Sequence, residues 1–159
     1  MTKQNDASTI AGWLRQYGRT GQLPPEAGTY MDLFSEDVAW TVMGSGLEYT
    51  RTYLGKKTLI AEYMDKLYKK IDMEKTVIKQ EGLFLDVDQQ VIITHNSETL
   101  ILANGKTLDV DSAFIMKVAG GLIISVSEFL DLRPIEAEFG PSLDDFTPQI
   151  APALTEKTD

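Results

Sequence analysis

The sequence predicts an α+β domain in which helices come first and an antiparallel meander follows. Three observations predict it. Apolar residues recur at helical spacing from Lys57 to Ile71. Four strand-like segments follow, at about 75–87, 91–102, 107–118 and 122–132. Asn104-Gly105 joins the second and third of these and Gly120-Gly121 the third and fourth. Both pairs tolerate the positive φ that tight hairpins need. Helices grouped ahead of strands pack on one face of a curved sheet.

Each element has its own signal. Residues 1–8 read as a flexible leader. Ile10, Trp13, Leu14 and Tyr17 then share a helix face, with Ser8 or Thr9 as cap and Gly18 and Gly21 as its end. Pro24-Pro25 is expected to open a second helix with Tyr30, Leu33 and Phe34 on its apolar side. The segment 38–43, VAWTVM, is rich in strand formers and runs into a Gly-Ser-Gly turn; YTRTYL, 49–54, is a second short strand. Gly55 precedes the third helix, whose stripe is Leu59, Ile60, Tyr63, Met64, Leu67, Tyr68 and Ile71. The domain proper is expected over 9–132. Residues 133–159 have little periodicity and read as a C-terminal arm and tail, with Phe139 and Phe146 to pin it.

Composition narrows the function. A length of 159 residues suits one domain, and 43% hydrophobic residues are enough for a core. The net charge of -9 and pI of about 4.6 oppose contact with nucleic-acid phosphates or an anionic membrane. With no cysteine there is no disulfide, thiolate metal site or thiol nucleophile. The single histidine and the scattered carboxylates have no metal-ligand spacing. Neither a signal peptide nor an apolar run of the roughly 18 residues that span a bilayer is visible, so the expected location is the cytoplasm.

The last strand poses a chemical question. Alternation puts Ile124, Val126, Glu128 and Leu130 on one face, with a carboxylate among core residues. In the preceding strand Val110, Ser112, Phe114, Met116 and Val118 form the interior set, so Ser112 and Glu128 are brought near each other. Burying an unpaired acid costs several kcal/mol. Buried, it has a raised pKa and suits proton transfer near neutral pH. In the strand 91–102 alternation does not choose between His95, Ser97, Thr99, Ile101 and Asn96, Glu98, Leu100, Leu102.

The stretches YMDLFSEDVAWTVMGSG, TRTYLGKKTLIAEYMDKL and NGKTLDVDSAFIMKVAGGLIISVSEFLD resemble the nuclear transport factor 2-like superfamily, and within it the SnoaL-like and ketosteroid-isomerase-like group. The resemblance spans roughly residues 9–132. It implies a cone-shaped roll, a cystatin-like α+β barrel whose strongly curved, mainly antiparallel sheet wraps three helices of the N-terminal half around one apolar pocket. It also implies a homodimer formed through the sheet. Aligned on Gly105, it places His95, Ser97, Thr99 and Ile101 toward the pocket, with Ser112, Phe114, Val126, Glu128 and Leu130.

The same resemblance carries chemistry across residue by residue. Val42 stands where ketosteroid isomerases have their aspartate base, and Phe114 where they have a protonated aspartate. Tyr17 and Tyr63 match their tyrosines. That pattern argues strongly against steroid-isomerase chemistry by the family route. Glu128 falls near the last-strand acid of the limonene-epoxide-hydrolase branch, but Asp109-x-Asp111 lacks that branch's arginine. Glu128 or Asp131 matches the strand-end acid of SnoaL-like cyclases.

The expected catalytic residues are therefore Glu128, His95 and Tyr17. The expected substrate contacts are Trp40, Val42, Tyr63, Ser97, Thr99, Ser112, Phe114, Val126 and Leu130, with no metal and no cofactor. Two functions fit. One is a cofactor-independent acid–base enzyme (isomerase, cyclase, dehydratase or hydrolase) acting on an apolar organic substrate. The other is a non-catalytic ligand-binding or dimerisation module.

Overall fold

The computed structural model describes residues 6–144. It is an α+β fold built on a six-stranded sheet. Helix α1 (Ala7–Thr20) is capped by Asp6, whose carboxylate accepts the Thr9 backbone N–H. This is two or three residues earlier than a Ser8 or Thr9 cap would set it, and the side chain of Thr9 itself donates to Asp6. Gly21 ends α1 in the left-handed conformation (φ 70°).

The helix expected at Pro24-Pro25 does not form. Two short 3₁₀ turns, Pro25–Ala27 and Tyr30–Leu33, stand in its place. Gly28 at φ 72° breaks the run, and a Thr29–Asp32 capping box restarts it. Phe34 then enters strand β1 (Phe34–Val42), which pairs with the short β2 (Thr52–Leu54). The third helix is continuous from Lys56 to Tyr68 but has three segments: α-helical Lys56–Leu59, π-helical Ile60–Met64 and α-helical Asp65–Tyr68. We call it α2. The wide turn holds Tyr63, and such turns are common at functional sites.

Strands β3 (Val77–Asp86), β4 (Val91–Ile101), β5 (Thr107–Ala119) and β6 (Leu122–Leu130) form the meander. The sheet order is β2-β1-β6-β5-β4-β3, antiparallel except where β1 runs parallel to β6. Burial alternates along β1 as Val38, Trp40 and Val42, and along β5 as Val110, Ser112, Met116 and Val118. These side chains meet Ile10 and Leu14 of α1 and Leu59 and Tyr63 of α2 in one core.

Two registers differ from simple alternation. Gly120-Gly121 makes the expected tight turn, with both φ values positive and Ala119 opposite Leu122. Beyond it Val118 pairs with Ile123 and Lys117 with Ser125, so Ile124 is the extra residue of a bulge. Ile123 is fully buried and Ile124 is 40% exposed, which corrects the interior assignment of Ile124. The Asn104-Gly105 hairpin is not a two-residue turn. A two-residue turn would put Ser97 opposite Ser112, but Asn96 stands there, and five residues connect the last pair, Ile101 and Thr107. One residue of register turns every side chain of β4 to the other face.

The arm after β6 starts as a helix, α3 (Leu132–Phe139), capped by Asp131. Pro134 lies in its first turn, where its missing N–H breaks no helical hydrogen bond. Ile135 is buried and Phe139 packs against the core. Phe146 lies outside the described residues.

Candidate functional site

Helices α1, α2 and α3 and the concave face of the sheet enclose a cavity of about 790 Å³. Glu128 of β6 lies in its wall and is only 6% exposed. Both of its carboxyl oxygens are held. Trp40 Nε1 donates to Oε2 at 2.6 Å, and the Tyr63 hydroxyl donates to Oε1 at 3.1 Å. The topology explains the meeting. Parallel pairing sets Trp40 opposite Val126 and Val42 opposite Glu128, so the indole reaches one step along the same face. Tyr63 comes from the π turn of α2 and stacks on Tyr53 with ring centroids 5.1 Å apart.

Burial pushes the Glu128 carboxyl up to about 7; the Trp40 and Tyr63 donors hold it down and the nearby Glu98 carboxyl adds to the rise. The same burial pushes the Tyr63 hydroxyl well above its usual range, so it remains a donor. Glu128 thus has both protonation states within reach near neutral pH. Each carboxylate oxygen keeps a second lone pair for a ligand.

Of the other expected residues, Tyr17, Trp40, Tyr63, Phe114 and Leu130 line the cavity. Tyr17 is 40% exposed at the mouth and stacks on Tyr30 at 5.5 Å. Phe114 meets Trp40 edge-on at 5.9 Å. Val42 and Val126 are fully buried and do not reach the cavity surface. Ser112 is also buried behind the lining, where its hydroxyl donates to Glu98.

His95, Ser97 and Thr99 require a correction. They lie on the convex face of the sheet, because the longer β4–β5 connection sets the opposite register. The His95 side chain is half exposed with Nε2 3.8 Å from Asp111, Ser97 donates to Asp111, and Thr99 donates to Asp109 at 2.9 Å. The cavity instead receives Thr94, Asn96, Glu98 and Leu100 from β4. Sequence reasoning thus missed Glu98, the second carboxyl of the site. The available signal was pairing: if Ser112 faces inward, so does its partner, and Asn96 is that partner. Ile135, Phe139 and Leu143 also line the cavity, so the arm contributes wall.

Among the described residues, no three His, Cys, Asp or Glu side chains are grouped to hold a metal ion, and no helix is long and apolar enough to cross a membrane.

Comparison with solved structures gives the class. An NTF2-like protein from Burkholderia thailandensis superposes with a TM-score of 0.64 at 18% identity, covering 84% of this chain and 96% of that one. A protein assigned as a SnoaL-like polyketide cyclase, from Jannaschia, gives 0.61 at 14% identity over 88% of this chain and 96% of that one. A protein assigned as an isomerase, from Bacillus subtilis, gives 0.63 at 14% identity over 82% and 92%. The fold is therefore NTF2-like, of the kind found in SnoaL-like proteins. No protein-family model and no curated protein sequence matches the chain.

Proposed function

We propose that this protein is a cofactor-independent acid–base enzyme, an isomerase, cyclase, dehydratase or hydrolase, acting on a small, mostly apolar organic molecule. One observation carries the reading: a buried carboxyl, Glu128, faces a large cavity with a hydrogen-bond donor on each oxygen. In the ionised form it accepts a proton from the ligand while Trp40 and Tyr63 stabilise the charge. In the protonated form its O–H points to the ligand, since both protein partners are donors. Aromatic walls from Trp40 and Phe114 keep water from solvating it. Tyr17 at the mouth orients the substrate.

The test is the carboxyl-carbon NMR titration of Glu128, assigned with Glu128→Gln, together with a substrate screen. A midpoint near 7 and a loss of turnover of about 100-fold or more in Glu128→Gln support the reading. A midpoint at the ordinary value of about 4.5 sinks it. The second reading, a non-catalytic ligand-binding module, draws on the fact that both Glu128 oxygens are already satisfied within the protein.

We also propose that the protein works as a homodimer through the convex face of the sheet. Phe84 and Phe129, both exposed, lie there with Ile93 and Ile115, and the Phe84–Ile93 and Ile93–Ile115 pairs make the patch continuous across three strands. Sedimentation velocity should give a dimer that Phe84→Glu converts to monomer.

A further inference from the structure

Glu98 and Glu128 face one cavity from β4 and β6, strands separated by β5. Among the described residues, neither carboxyl pairs with a lysine, arginine or histidine. The other charged side chains of the lining are Arg19 and Asp65, both exposed at the mouth. Among the described residues, the charged side chains of the enclosed lining are therefore acidic; the buried Lys70 is not in the lining and has its Nζ 5.5 Å from the ring centroid of Phe139.

Glu98 is also held in a fixed direction. Asn96 Nδ2 donates to Ser112 Oγ at 3.4 Å, which turns the Ser112 hydroxyl to donate to Glu98 Oε1. The other oxygen, Oε2, accepts nothing from the described residues. The rings of Tyr30, Trp40 and Phe114 are in the lining, and aromatic faces attract cations. Burial raises the pKa of both acids, and their mutual repulsion adds to that of Glu128. A bound cation would relieve this.

We propose that the cavity takes a mostly apolar ligand with one basic nitrogen, whose protonated form sits against Glu98, with the Glu128 carboxyl facing the same cavity. This rests on the reading of the cavity as the substrate site and gives its ligand a chemical class. An ammonium group supplies up to three N–H donors, and one of them suits the open Glu98 Oε2. A carboxylate of the same shape meets two acids and no cation inside the cavity.

Three probes of one shape and different charge test this: 4-phenylbutylamine, 4-phenylbutan-1-ol and 4-phenylbutanoate, titrated calorimetrically into the full-length protein at pH 7. The amine should bind about tenfold or more tighter than the alcohol, with the carboxylate weakest. Glu98→Gln, which keeps the shape and can still accept from Ser112, should remove most of that preference. An amine that binds no tighter than the alcohol, or not at all, overturns the proposal without need of the variant. So does a preference that survives Glu98→Gln. The Glu128 titration reads the other claim separately: an ordinary Glu128 midpoint with a Glu98-dependent amine preference removes the acid–base enzyme and keeps the ligand class.

Discussion

The Trp40 indole and the Glu128 carboxyl meet at 2.6 Å across the one parallel pairing in the sheet, between strands that are 88 residues apart at this contact. The contact links the cavity to the joining of β1 and β6 in the sheet. Removing either partner should therefore be visible in both.

Glu128 makes stability depend on pH with a definite sign. Its folded pKa of about 7 lies above the ordinary value of 4.5, so the folded state binds the proton more tightly than the unfolded chain does. The favourable contribution is complete below about pH 4.5 and is lost as pH rises through about 7. The loss is about 3 kcal/mol for a shift of this size. Urea denaturation from pH 5 to 8 should show this decline in the wild type and not in Glu128→Gln. A wild type whose decline matches that of the variant would remove Glu128 as its source.

The two donors act on the charged form. Trp40→Phe and Tyr63→Phe should each move the Glu128 midpoint above 7, since each lost hydrogen bond had lowered it. At pH 8, where the carboxylate is charged, either change should cost about 1.5–3 kcal/mol. NMR titration and denaturation at pH 8 check the pair together.

The bulge in β6 predicts an asymmetry between neighbours. Ile123→Ala empties a fully buried site and should cost about 2–5 kcal/mol. Ile124→Ala, at a bulged and 40% exposed position, should change stability by about 0.5 kcal/mol or less. Equal costs would contradict the bulge.

His95 lies on the convex face, away from the cavity. His95→Gln should leave the Glu128 midpoint unmoved and change probe binding less than about twofold. A shift in the midpoint would return His95 to the site.

The legible part of this molecule is where pattern and physics agree. The β5 alternation and the inward Glu128 follow from period-two burial, and the Gly120-Gly121 turn from the positive φ that glycine tolerates. The assignment of Ile124 fails because two adjacent isoleucines give no phase, and only packing selects Ile123. Strand β4 has polar residues on both faces, Thr94, Asn96 and Glu98 against His95, Ser97 and Thr99. Its phase was set by the length of a hairpin loop, and local sequence marks that poorly. Glu98 was hidden for this reason. Helix α3 was hidden because it is only eight residues long and has a proline in its first turn. The π turn in α2, which carries Tyr63, leaves no mark in an apolar stripe.

The position of β6 between β1 and β5 has a consequence for synthesis on the ribosome. Strands β1 and β2 are made early, and β3, β4 and β5 can pair as they emerge. Until residues 122–130 follow, these are two unjoined pieces, each with a bare edge. The strand that joins them is the one that carries Glu128. A nascent chain thus acquires Glu128 and its continuous sheet in one late event, and until then its exposed edges invite pairing with other chains.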